Sequence, residues 1–209
     1  WFLILAVGLV LLLIWHLMQT GLGFGEAVRQ ASFNGVSIMT GTGYVSANFS
    51  AWGGFATTIL LIVMFIGGCG GSTTCGIKVF RLQVLASTAK VQISRLLRPH
   101  AVVLAYYNKR PVSVEVMDSV MGFFYLFILG FVLIAIMLGM AGLDFVTALS
   151  GAATSISNVG PGLGEVIGAD GNFSTLPDSA KWIMSFAMLL GRLEIFTVLV
   201  MLNPAFWQR

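Results

Sequence analysis

Residues 40–44 read Thr40-Gly41-Thr42-Gly43-Tyr44, and no charged residue occurs from 30 to 77 on either side of them. Two glycines in five residues end any preceding helix, because glycine adopts backbone angles closed to other residues. The residues before them, Glu26 to Met39, form a short amphipathic stretch. It is too short to cross a bilayer, which needs about 20 apolar residues. A glycine turn inside so long an uncharged run is expected at membrane depth. Non-helical backbone persists there only where it lines a cavity or is buried in protein.

The rest of the chain agrees. Of 209 residues, 57% are hydrophobic and 9% charged, against roughly 25% charged in a soluble domain. Mean hydropathy is +0.94. A soluble enzyme or a nucleic-acid binder is excluded. Two cysteines make no disulfide framework. The chain opens on Trp1 rather than Met, so it is read as a fragment and its lack of a targeting signal carries no meaning.

Four apolar passages are expected. Trp1 to Met18 is the first. The run from 30 to 77 holds one passage plus a re-entrant segment, and Ser119 to Leu143 is the third. Trp182 to Leu202 is the fourth, carrying Arg192 and Glu194. Seven of the 11 basic residues (Lys78, Arg81, Lys90, Arg95, Arg98, Lys109 and Arg110) fall between 78 and 110 with no acid among them. The positive-inside rule puts this loop, and with it the C-terminus, in the cytoplasm. Segments 19–50 and 142–181 then face outside, with Glu26, Asp144, Glu165, Asp170 and Asp178 against Arg29 and Lys181. These acids either gather cations in an outer vestibule or reflect ordinary charge asymmetry.

The two halves align on each other. Asn48-Phe49-Ser50 falls on Asn172-Phe173-Ser174, and the register runs on without a gap to Ile66-Gly67 on Leu190-Gly191. Gly43 falls on Gly160 if the second copy has about seven extra residues in its outer loop, a spacing like that of the parallel repeats in transporters. Each copy reads as span, short helix, glycine turn, span. The units are 1–98 and 99–209. The fold class is an all-α membrane protein with two parallel span–pore helix–span repeats. The Asn-Phe-Ser triplets also fit a glycosylation acceptor.

In both copies the glycine turn suits a cation. Successive backbone carbonyls pointing one way replace the hydration shell of potassium, and the C-terminal end of the short helix is partly negative. Thr40 to Tyr44 resembles the potassium-channel filter string. The competing reading is a glycine-rich outer turn with no ion. Three segments extend the resemblance: Ala31 to Tyr44, Phe65 to Lys78, and Gly191 to Val198. Together they resemble the membrane subunit of the Trk/Ktr/HKT potassium-uptake family, and the chain resembles the last two of that family's four units.

The resemblance implies the following roles. Backbone carbonyls of Thr40, Gly41, Thr42, Gly43 and Tyr44 form one filter element, and those of Ser157, Asn158, Val159, Gly160 and Pro161 form the next. Potassium is held at Thr40, Gly41, Thr42, Ser157, Asn158 and Val159, as transported ion, with no organic cofactor. Serine at a filter glycine favours sodium in related members, so Gly43 and Gly160 favour potassium. The break at Gly67, Gly68, Gly70, Gly71, Ser72, Thr73, Thr74 and Gly76 forms an intramembrane gate, and Arg192 contacts it. A charge in a span costs at least about 2.5 kcal/mol and faces a cavity. The alternative for Arg192 is a structural pairing with Glu194. The implied protein is a transporter in a bacterial inner membrane, surrounded by lipid. It is a homodimer docked to a cytosolic ring of nucleotide-binding, TrkA-like regulators. Coupling to a second ion stays open.

Other readings compete. Gly71 to Gly76 begins like a phosphate-binding loop, but Ile77 stands where that motif needs lysine. Cys69 and Cys75 have no His or Asp nearby for a metal and are expected as small buried residues. An intramembrane hydrolase needs a base at depth, and only His16 is available. A non-conducting assembly subunit is the remaining alternative.

Overall fold

The computed structural model describes residues 2–21, 23–98, 103–193, 197, 200–201 and 204–207. The expected unit boundary at 98/99, Glu194 with much of the run to Leu202, and the terminal Arg209 lie outside the described residues.

The chain forms α1 (Phe2–Thr20), α2 (Phe24–Thr40), a 3-10 turn (Phe49–Trp52), α3 (Gly54–Phe65) and α4 (Val79–Leu97). A two-residue hairpin follows, β1 (Tyr106–Tyr107) antiparallel to β2 (Arg110–Pro111). Then come α5 (Val114–Met140), α6 (Phe145–Ser157), a 3-10 turn (Phe173–Thr175), α7 (Asp178–Arg192) and α8 (Pro204–Trp207). Among the described residues, α5 alone is long and apolar enough to cross a membrane by itself. Its 27 residues span about 40 Å at 1.5 Å per residue.

The internal repeat has a physical basis at its triplets. Asn48 Oδ1 accepts from the Ser50 N–H at 3.0 Å, and Asn172 Oδ1 accepts from the Ser174 N–H at 2.9 Å. Each asparagine thereby opens a 3-10 turn by satisfying an N–H that has no helical partner. From there α3 begins at Gly54 and α7 at Asp178, the register set by aligning the two triplets. The short helices α2 and α6 hold the same place in the two copies.

Two buried clusters carry the fold. One joins α5, α6 and α7 through Phe123, Phe127, Leu138, Ile156 and Met184. The other joins α1, α2 and α3 through Leu12, Ile38, Leu60 and Met64, and it also takes in Ala153, Val159 and Leu163 from the second copy. The copies therefore share a core beside their turns. His16 belongs to the packing: it is buried, its Nε2 lies 3.0 Å from Gln30 Oε1, and its ring centre is 4.2 Å from that of Trp52.

Two features differ from the sequence reading. The described part of the basic stretch 78–110 contains a 19-residue helix and a hairpin rather than a plain loop. Alpha4 buries Val79, Val84 and Val91, and the Arg81 guanidinium sits 3.8 Å from the centre of the Phe123 ring on α5. The two cysteines are not buried: Cys69 is exposed and Cys75 half-buried. Both lie on the glycine-rich loop that follows α3.

Candidate functional site: paired glycine turns and the loop beside them

Alpha6 begins at a side-chain cap. Asp144 Oδ2 accepts from the Thr147 N–H at 3.1 Å. The hydrogen bonds from Thr147 hold the Asp144 carboxyl below the usual aspartate range. Alpha2 starts at Gly23 without such a cap. Both helices end on a left-handed residue, Gly41 at φ 69° and Asn158 at φ 52°. Asparagine is one of the few non-glycine residues that adopts this region readily.

The backbone after each helix turns its N–H groups back. In the first copy, Gly41 N–H donates to the Ile38 carbonyl at 3.2 Å, and Thr42 and Gly43 donate to the Ser37 carbonyl at 2.9 and 3.4 Å. In the second, Asn158 N–H donates to the Ser155 carbonyl at 3.2 Å and Val159 to the Thr154 carbonyl at 3.0 Å. Gly160 N–H donates to Thr154 Oγ1 at 3.0 Å. No peptide here is cis, and in a trans peptide the C=O preceding an N–H points the opposite way. The carbonyls of Thr40, Gly41 and Thr42, and of Ser157, Asn158 and Val159, therefore point away from their short helices. Tyr44 differs, since its carbonyl accepts from Ser37 Oγ at 2.6 Å and is turned back.

The two turns lie against each other. A Cβ on Gly43 would stand 2.4 Å from the Val159 carbonyl oxygen and 3.3 Å from Pro161 Cδ, while one on Gly160 would meet Gly43 Cα at 3.6 Å. Both glycines have positive φ, 78° and 115°. Either position is thus closed to a side chain by its angle, and Gly43 by space as well.

The glycine-rich break lies next to the first turn. Alpha3 stops at Phe65, and Ile66 pairs with Ile77 in a parallel bridge that closes residues 67–76 into a loop. Gly67 N–H donates to the Ile77 carbonyl at 3.0 Å and Ile77 N–H to the Phe65 carbonyl at 2.8 Å. Gly67 must be glycine, for its Cβ would fall 2.3 Å from the Cys75 oxygen. Gly71 and Gly76 have φ of 85° and 78°. Gly68 packs against the side chains of Ser72 and Thr74, and Gly70 near Phe80. Ser72 and Thr74 hydroxyls pair at 2.9 Å. Thr74 Cγ2 is 3.8 Å from where a Gly41 side chain would begin.

Arg192 ends α7 and reaches this loop. Its Nη1 donates to the Thr73 carbonyl at 3.1 Å and lies 3.6 Å from Cys75 Sγ. A cavity of about 210 Å³ opens beside the contact, lined by Thr73, Thr74, Lys78, Arg81, Phe123 and Arg192 among others. The loop follows a helix and not a strand, so the phosphate-loop reading lacks its supporting element. Among the described residues no cluster of three His, Cys, Asp or Glu side chains exists to hold a metal.

The acids of segments 19–50 and 142–181 divide. Asp144 and Glu165 border a cavity of about 710 Å³. Asp170 accepts from Asn48 Nδ2 at 2.5 Å, Asp178 from Lys181 at 3.2 Å, and Glu26 from Arg29 at 3.5 Å. The sequence reading passed over the Asn158 side chain, whose signal was an asparagine aligned with the glycine at 41.

Short helices ending at paired glycine turns, within a frame of apolar helices, define a pore-loop membrane protein. The comparisons sharpen this: the family model described as "TrkH: Cation transport protein" matches residues 3–209. The chain belongs to that family. It is 45% identical over 207 residues to the Trk system potassium uptake protein TrkI of Halomonas elongata, covering 99% of this chain and 42% of that protein. It is 40% identical over 183 residues to TrkH of Vibrio parahaemolyticus, covering 88% and 37%. The crystal structure of the potassium transporter TrkH from Vibrio parahaemolyticus superposes with a TM-score of 0.85 at 39% identity, covering 98% of this chain and 42% of that one. The chain spans about two fifths of the length of these relatives.

Proposed function

We propose that this chain supplies two of the four filter elements of a potassium uptake pore. The observation that carries the reading is the pair of glycine turns. Their N–H groups are folded back onto α2 and α6, so the carbonyls at 40–42 and 157–159 point away from those helices, and the two turns lie against each other. Such carbonyls replace water around a dehydrated cation, and two helix C-termini add partial negative charge. Glycine at both 43 and 160 keeps the passage clear of side chains, which favours potassium. The relatives named as potassium uptake proteins support the same ion.

The loop 67–76 acts as the gate, with Arg192 as its latch through Thr73. Units 1–98 and 99–209 are the two repeats. The protein works in a bacterial inner membrane with 78–110 and the C-terminus in the cytoplasm, as a homodimer with a cytosolic nucleotide-binding regulator of the TrkA kind. Ions move down their electrochemical gradient.

The test is rubidium uptake in bacteria lacking their own potassium transporters. They express a chimera in which this chain replaces the matching segment of Vibrio parahaemolyticus TrkH. Uptake well above empty-vector cells is expected. Gly43→Ser should cut it by at least about tenfold or admit sodium, because the new side chain meets the Val159 carbonyl. Arg192→Ala should make uptake less dependent on the regulator. No uptake from a chimera present in the membrane would sink the proposal and favour an assembly subunit.

A further inference from the structure

We propose that Asn158 is a positioning residue that ties the second filter element to the helix carrying Arg192, so that filter and gate move together. The inference rests on the filter and gate reading above. Asn158 Nδ2 donates to the Met188 carbonyl of α7 at 3.0 Å. A helical carbonyl has two lone pairs, so it can accept this bond besides its own helical one. Met188 lies one turn before Arg192. Between them is Gly191, where a Cβ would stand 1.9 Å from the Ile156 oxygen and 2.8 Å from Asn158 Nδ2. The end of α6 therefore rests on bare α7 backbone, and the Asn158 side chain adds a hydrogen bond across that contact to the apolar packing of the two helices.

The path continues on both sides. From α7, Arg192 holds the Thr73 carbonyl at 3.1 Å. From the gate loop, Thr74 touches the space beside Gly41 in the first filter element. The second filter element, α7, gate loop and first filter element thus form a closed circuit of contacts. The first copy has no such tie, because Gly41 aligns with Asn158 and has no side chain. An asparagine fits here for two reasons at once: it takes φ 52°, and it brings a donor that glycine lacks. A shift of α7 that frees Thr73 pulls on Asn158, and so on the carbonyl it places.

The experiment uses the chimera in proteoliposomes and reads the rubidium-to-sodium permeation ratio. The proteins are wild type, Asn158→Gly, Asn158→Asp, Arg192→Ala and the double variants. Asn158→Gly keeps the left-handed turn and loses the tie. Asn158→Asp keeps the shape and replaces the donor with an acceptor. Both should lower the ratio by about fivefold or more, the lower end of typical site-to-site coupling. Arg192→Ala should shift the ratio in wild type and leave it unchanged in either Asn158 background, the non-additivity of coupled residues. A side chain that only stabilises the fold would scale both ions equally. An unchanged ratio in both variants, full additivity with Arg192→Ala, or loss of both variants from the membrane would each overturn the coupling. Failure of the wild type to pass rubidium at all would mark the failure of the potassium reading itself.

Discussion

At the scale of single residues, the site is made by what is missing as much as by what is present. Gly43 and Gly160 approach each other through backbone alone, and at Gly43 a methyl group has no room. Asp144 works by the oxygen it offers to the Thr147 N–H. Thr147 hydrogen bonds lower its carboxyl pKa in the folded protein. The stabilisation is therefore present above the ordinary aspartate value, about 3.9, and is lost as pH falls through the lower folded value. An N-cap of this type contributes about 1 kcal/mol. Asp144→Ala should lower the thermal midpoint at neutral pH, and the gap from wild type should narrow as pH falls below about 4. Asp144→Asn should keep most of the cap without that pH dependence. Thermal unfolding in detergent across pH checks both.

At the scale of elements, the crossing of α6 and α7 is set by Gly191. With the Ile156 oxygen 1.9 Å from the place of its Cβ, Gly191→Ala must push the two helices apart. Overpacking of this kind costs about 1–3 kcal/mol. A lower melting temperature for Gly191→Ala is expected, with little change for Gly139→Ala, where a Cβ meets nothing within 4 Å. The short helices and their glycine turns were legible in the sequence because a left-handed helix end demands glycine or asparagine. The Asn-Phe-Ser triplets were legible because both act as turn caps. Alpha4 was not, since the basic stretch around it drew attention to charge, and only Val79, Val84 and Val91 of its apolar residues are buried. The Ile66–Ile77 bridge was hidden too, because a single long-range pair leaves no periodic mark.

At the scale of the whole molecule, the long exposed apolar face of α5 and the basic stretch 78–110 set the chain against its surroundings. Tyr125, Ile128, Leu133 and Ile136 are each half or more exposed, which suits contact with lipid tails. The sidedness can be tested with a membrane-impermeant maleimide on Lys109→Cys, after replacing Cys69 and Cys75. Labelling is expected in inside-out vesicles and not in intact spheroplasts; the reverse would invert the topology. The expected orientation rests on charge alone, whereas the shared core, with Val159 and Leu163 packed among first-copy residues, needed the fold. The pairing of Gly41 with Asn158 has a wider consequence. In an assembly of identical subunits one codon change alters every quadrant of the ring. Here the two turns are written separately in one chain, so mutation can alter one without the other, leaving bare glycine on one side while the other acquires a side-chain hydrogen bond.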